Sequence, residues 1–223
     1  MIYVHLADSE LVEFLTEEIA AEKSNQKPVV EIPGFVSKKE GAELTFTKNH
    51  GNEKYVTIFY ALCNNSMKGF KNTNFFLIFR IVVTLNVNHT VDSAEPDDGS
   101  EEAPEMKSMP NFEVDIVKSD GRTLSFSCSY LNPDEEVPSS HEEQFDDAFS
   151  IDEVTMFDGE EWSEKKYAVA GDILDGNLYD LFMGMLDERG INKQFADRLS
   201  TYCSGYEHGL YIKMLQDLQK FAK

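Results

Sequence analysis

Cysteine is scarce in this chain. There are three, Cys63, Cys128 and Cys203, and none sits in a C-x-x-C spacing. An odd, sparse set of this kind excludes a disulfide framework and a cysteine-based zinc site, and it fits a reducing compartment best. A long apolar run is missing too. The most apolar stretch, Asn72–Val87 (NTNFFLIFRIVVTLNV), is preceded by Lys71 and interrupted by Arg80, whereas a membrane helix needs about 18 consecutive apolar residues. A membrane span is therefore excluded for it. The opening MIYVHLADSELVEF has neither an Arg-rich, acid-poor stretch nor a long apolar core, so it reads as neither a transit peptide nor a signal peptide. With no secretory signal, the two sequons, Asn64-Asn65-Ser66 and Asn88-His89-Thr90, read as chance.

Positive charge is the next shortage. Twenty Lys and Arg face forty-one Asp and Glu, giving a formal charge of -21. Such a surface repels nucleic-acid phosphates and anionic lipid, and it attracts basic proteins. It also serves solubility, and charge alone does not choose between the two readings.

Catalytic signatures are absent as well. There is no G-x-S-x-G, and Cys203 and His208 form no recognisable nucleophile pattern. HEEQF at His141 is not H-E-x-x-H, DGSEEAPE and SDGRT lack the spacing of a phosphate cradle, and EPDDGSEE does not follow an EF-hand. Paired carboxylates for hydrolysis cannot be told from coincidence among so many acids. Weak, unspecific divalent-cation binding is all the acids suggest; no cofactor, metal site or catalytic residue is predicted.

What is present is a clear order of elements. Leu11, Phe14, Leu15 and Ile19 recur at helical spacing behind Asp8 or Ser9 as cap, and Pro28 and Pro33 end that pattern. Strands follow: Leu44 and Phe46 share a face, NHGNEK reads as a turn around Gly51, and Val83, Leu85 and Val87 alternate. Phe112, Val114 and Ile116, a turn at Ser119-Asp120-Gly121, and Leu124, Phe126 and Cys128 outline a hairpin. Ile151, Val154 and Met156 mark another strand, and KKYAVAGD a last short one. Two helices close the chain. Leu178, Leu181, Phe182, Met185 and Leu186 form one stripe, ended by Gly190. Asn192 caps the second, with Phe195, Leu199, Tyr202, Tyr206, Leu210, Met214, Leu218 and Phe221 apolar, and Gly205 and Gly209 suited to a bend or a close backbone approach. Runs of antiparallel strands with short turns, flanked by helices, define an α+β chain.

One segment does not match its surroundings. Residues 55–80 are rich in Asn and Phe and contain no acid. NFFLIFR can be encoded by a pyrimidine-rich run ending in TTCAG, as introns end, and KYV by AAGTATGT, which contains a donor sequence. Cutting there regenerates Lys54 in frame and joins it to Ile81 as GNEK-IVVTLNVNHT. The segment is therefore read as a retained intron; the alternative is a genuine insertion with an extra strand.

Two stretches concentrate acid, 92–106 and 133–147, and both read as flexible acidic loops within the sheet region. The candidate protein-binding residues are Asp92, Glu95, Asp97, Asp98, Glu101, Glu102 and Glu105 in the first, and Asp134, Glu135, Glu136, Glu142 and Glu143 in the second. The simplest alternative is a solvated spacer.

With these elements in place, the chain resembles the mitochondrial acidic matrix protein family. The resemblance rests on ELVEFLTEEI, PNFEVDIVKSDG, FSIDEVTM, EEW and, above all, Leu178–Phe221, with Leu178-Tyr179-Asp180, Arg189-Gly190, Phe195-Ala196-Asp197, Glu207-His208 and Tyr211-Ile212 as family positions. It covers residues 1–223 as a single domain, apart from Tyr55–Arg80, which interrupts one family strand. It implies a non-enzymatic α+β fold: an N-terminal helix, a highly twisted seven-stranded antiparallel sheet and two C-terminal helices, in a doughnut-shaped homotrimer. It further implies a mitochondrial matrix protein with basic partners such as ribosomal proteins, RNA only indirectly, and a chaperone-like link to mitochondrial translation and oxidative phosphorylation. A structural scaffold and an acid-rich, metal-dependent hydrolase are the alternatives.

Overall fold

The computed structural model describes residues 6–56, 74–88, 91–92, 107–131, 147–158 and 166–223. Helix α1 spans Leu6–Asn25, α2 Gly176–Glu188 and α3 Lys193–Ala222. The strands are β1 (Val36–Glu40), β2 (Glu43–Val56), β3 (Asn74–Asn86), β4 (Val91–Asp92), β5 (Lys107–Ser108), β6 (Phe112–Lys118), β7 (Arg122–Tyr130), β8 (Phe149–Asp158) and β9 (Ala168–Ala170). Seven of these form one antiparallel sheet in the order β1-β2-β3-β6-β7-β8-β9, and β4 pairs with β5 separately. The expected α+β architecture of three helices and a seven-stranded sheet is the one observed.

The period-two pattern decides which face is dry. Phe46, Val83, Val114 and Phe126 lie next to one another across four strands and are fully buried. Helices α2 and α3 cover that face: Tyr202 meets Phe46 edge-on at 4.9 Å, Phe182 meets Phe126 at 5.4 Å, and Phe195 packs on Phe35 at 5.1 Å. Burying side chains of this size stabilises the fold by about 1.5–3 kcal/mol each before entropy is counted. Asp175 caps α2 by accepting from the amides of Asn177 and Leu178, and Asn192 caps α3 by accepting from that of Phe195. Gly190 ends the turn after α2 at φ 82°, as its place after Arg189 predicts. Gly205 faces the linker after α1: a Cβ there would lie in ordinary contact, 3.4 Å from Val29 and 3.6 Å from the Lys27 carbonyl.

Some expectations need correction. Helix α1 begins at Leu6, so Asp8 and Ser9 lie inside its first turn and do not cap it. Leu15 and Ile19 are buried against Leu215 of α3, whereas Phe14 is 60% exposed. In β8 a register shift opposite Ser127 and Cys128 absorbs an extra residue. Ile151 and Val154, three apart, consequently both point into the core. Met156 keeps the parity of Val154 but is 68% exposed, and Phe157, on the opposite face, is buried. The NHGNEK stretch lies within β2, not at a turn, and the β2–β3 ladder is irregular between His50 and Glu53. In α2, Leu186 is fully buried but Leu181 is exposed; in α3 the buried stripe gives way to the exposed Met214, Leu218 and Phe221.

Candidate functional site

The ladders place the roots of both acidic stretches at the same end of the sheet. Leu85 of β3 pairs with Phe112 of β6, Phe112 pairs with Cys128 of β7, and Cys128 pairs with Ile151 of β8. Beyond this line β3 leaves toward residues 92–106 and β7 leaves toward 133–147. The turn at Ser119–Gly121 and the β2–β3 connection lie at the opposite end.

Both roots are fastened to α3. For the first, Val91 pairs with Ser108 and Asp92 with Lys107. Ser108 is fully buried; its amide donates to Ser204 Oγ at 2.8 Å, and its carbonyl accepts from Ser200 Oγ at 2.8 Å. For the second, the Leu131 amide donates to the Ala148 carbonyl at 3.2 Å, and Tyr130 Oη donates to the Ala196 carbonyl at 2.9 Å. Burial pushes the Tyr130 phenol well above its ordinary value, so it remains a donor. Serines four residues apart on one helix, with a tyrosine reaching the preceding turn, thus hold two chain exits side by side.

Of the twelve predicted binding acids, the structure reaches Asp92, which sits in β4 opposite Lys107. Glu95, Asp97, Asp98, Glu101, Glu102, Glu105, Asp134, Glu135, Glu136, Glu142 and Glu143 lie outside the described residues.

A second group of carboxylates was missed in the sequence reading. On the sheet face away from α2 and α3, Glu113, Ser125, Ser127, Glu153 and Thr155 line a hollow of about 220 Å³. Ser125 Oγ donates to Glu113 at 2.9 Å. Beside them, burial raises the Asp115 carboxyl above its usual range and the Glu113 charge raises it further, while Ser125 and Arg80 act the other way. The signal was available: if Phe112, Val114 and Ile116 face inward, Glu113 and Asp115 face outward.

Of the other residues raised by the sequence, Cys128, Cys203 and His208 are described, whereas Cys63, HEEQF at His141 and EPDDGSEE lie outside the described residues. Cys128 and Cys203 are buried free thiols. Burial raises both, Cys203 to about 12, so neither is a thiolate at neutral pH. His208 faces Glu22 of α1 at 2.6 Å. Among the described residues no group of three His, Cys, Asp or Glu is placed to hold a metal, and no helix is long and apolar enough to cross a membrane.

The fold defines a class first: an antiparallel sheet with helices on one face and two acid-rich segments rooted at one end. Residues 15–222 match the MAM33 family model, described as mitochondrial glycoprotein. The chain belongs to this family. It is 33% identical over 231 residues to the rat protein "Complement component 1 Q subcomponent-binding protein, mitochondrial", covering 97% of this chain and 72% of that one. Identity to the human counterpart is 32% over 232 residues, with the same coverage. A nematode relative from Caenorhabditis elegans, "Conserved regulator of innate immunity protein 3", is 29% identical over 222 residues, 95% of this chain and 82% of its own. Among solved structures, the Trypanosoma brucei p22 protein superposes with a TM-score of 0.65 at 19% identity, covering 98% of this chain and all of that one. A Leishmania major protein described as a homologue of human p32 gives 0.64 at 16%, over 97% of this chain and 99% of its own.

Proposed function

We propose that this chain is an acidic, multi-ligand binding protein of the mitochondrial matrix that captures basic proteins, such as ribosomal proteins, without transforming them. The observation that carries this reading is the common root of the two acidic stretches: α3 holds both exits at one end of the sheet. Clustered negative charge raises the local concentration of Lys- and Arg-rich segments and speeds encounter. Single surface ion pairs contribute only ~0–1 kcal/mol, so affinity arises from many contacts and from the avidity of several copies.

The assembly proposed is a homotrimer. Phe14, Met214 and Phe221 are exposed on the α1 and α3 helices, apolar surface that a second copy would cover. In this reading RNA associates only through bound basic proteins, and the chaperone-like action supports mitochondrial translation and oxidative phosphorylation.

The test is association with a Lys/Arg-rich ribosomal-protein peptide, comparing the unaltered chain with one carrying Glu101→Gln, Glu102→Gln and Glu105→Gln. Slower association and weaker binding of the neutralised chain are expected, with an unchanged melting temperature. Equal binding by both would remove the acidic stretches from the mechanism. Sedimentation of the unaltered protein at the monomer mass would remove the trimer.

A further inference from the structure

The β2–β3 ladder contains an irregularity that coincides with a turn sequence. Lys48 pairs with Ile81, Asn49 with Arg80 and His50 with Phe79 in one unbroken register. The next pair is Glu53 with Leu77, so Gly51 and Asn52 together stand opposite a single residue, Ile78. That is a β-bulge, and it falls on a Gly-Asn dipeptide, one of the strongest signals for a two-residue hairpin turn.

Joining Lys54 to Ile81 resolves the irregularity. Lys54 then takes the register position of Arg80, opposite Asn49, and Glu53 takes that of Phe79, opposite His50. Gly51 and Asn52 are left as a two-residue turn with glycine first, the arrangement a type II′ hairpin requires. No pair from Lys48↔Ile81 to Glu43↔Asn86 shifts, so the whole ladder from β3 to β6 is kept.

Both exchanged positions keep a favourable charge contact, although the Phe79 ring that packs on the core is lost. Arg80 is one of the charges acting on Asp115 across the strand, and lysine retains that positive charge. The Phe79 ring lies 5.3 Å from the Arg189 guanidinium, and glutamate at this position offers the same cation a carboxylate. Lys48, adjacent in register, already donates to the Arg189 carbonyl at 3.0 Å. Charge agrees as well: residues 55–80 contain Lys68, Lys71 and Arg80 and no acid, so the shorter chain is the more acidic.

We infer that the sheet is complete without residues 55–80, and that the native protein is the chain in which Lys54 precedes Ile81, with β2 and β3 closed by a Gly51–Asn52 turn. The bulge is then that turn, drawn into a longer ladder.

Two measurements test this. In the first, the chain lacking 55–80 is expressed beside the full chain. It is expected to fold, to melt at the same temperature or higher, and to protect the amides of Ile81–Leu85 equally well from exchange. Gly51→Val is expected to lower the melting temperature more in the short chain than in the full one, because only there does the residue occupy the left-handed corner of a turn. In the second, the protein isolated from its source is digested after glutamate, and a peptide beginning Lys54-Ile81-Val82 is expected. A short chain that fails to fold would overturn the inference, and so would recovery of the tryptic peptide Asn72–Arg80 from the native protein.

Discussion

Gly171 and Asp115 show how much is decided by single atoms. A Cβ on Gly171 would lie 1.9 Å from the Ile151 carbonyl oxygen, and backbone cannot yield as a flexible side chain can. Gly171→Ala is therefore expected to cost about 2 kcal/mol or more, read as a drop of several degrees in thermal denaturation. Gly190→Ala meets only the far end of Lys48 and should cost about 1 kcal/mol, through its φ of 82°. Asp115 makes a pH prediction. Its carboxyl is raised by burial, so the folded state holds the proton more tightly than the unfolded chain does. The stabilisation from that proton is complete below the unfolded value and is lost as pH rises through the folded one. Asp115→Asn is accordingly expected to raise stability at neutral pH, with the advantage disappearing toward pH 3. A constant advantage in melting temperature from pH 3 to 7 would contradict this.

At the scale of elements, the anchoring of β5 is the feature most open to test. Ser204→Ala leaves the buried Ser108 amide without its acceptor, at a cost of about 1–3 kcal/mol. Faster hydrogen exchange at Ser108 is expected, with Val114 in β6 unaffected. Unchanged exchange at Ser108 would show that the first acidic stretch is held by something else. The elements were largely legible in the sequence because strands β2, β3, β6 and β7 alternate cleanly. The helix caps Asp175 and Asn192 and the glycine at 190 act through local backbone hydrogen bonds; of these, Asn192 and Gly190 were read as signals. What escaped was non-local. The parity change in β8 comes from a bulge set by pairing with β7, which puts Ile151 and Val154 on one face; Met156 keeps the parity of Val154 yet is exposed, and Phe157 is buried on the opposite face. NHGNEK was read as a turn because its composition is that of one; in this chain the ladder runs through it. The anchoring serines were invisible because Ser108 meets Ser200 and Ser204 only through tertiary structure, nearly a hundred residues along the chain.

For the whole molecule, the organising fact is polarity of layout. One sheet face is dry and covered by α2 and α3; the other carries the half-buried Glu113 and Asp115 and the exposed Glu153; one end roots both acidic stretches. Composition alone left solubility and capture level. The proposed capture role rests on the anchoring of both acid-rich segments to one helix, α3. The hollow around Glu113 and Glu153 adds negative charge on a different face. The measurement that bears most directly on the account is the affinity of the purified protein for a Lys/Arg-rich ribosomal-protein peptide as ionic strength rises from about 0.01 M to about 0.5 M, a change that shortens the screening length several-fold. Electrostatic capture predicts a steep fall, about tenfold or more, carried mainly by slower association. Affinity that stays constant over that range would contradict it.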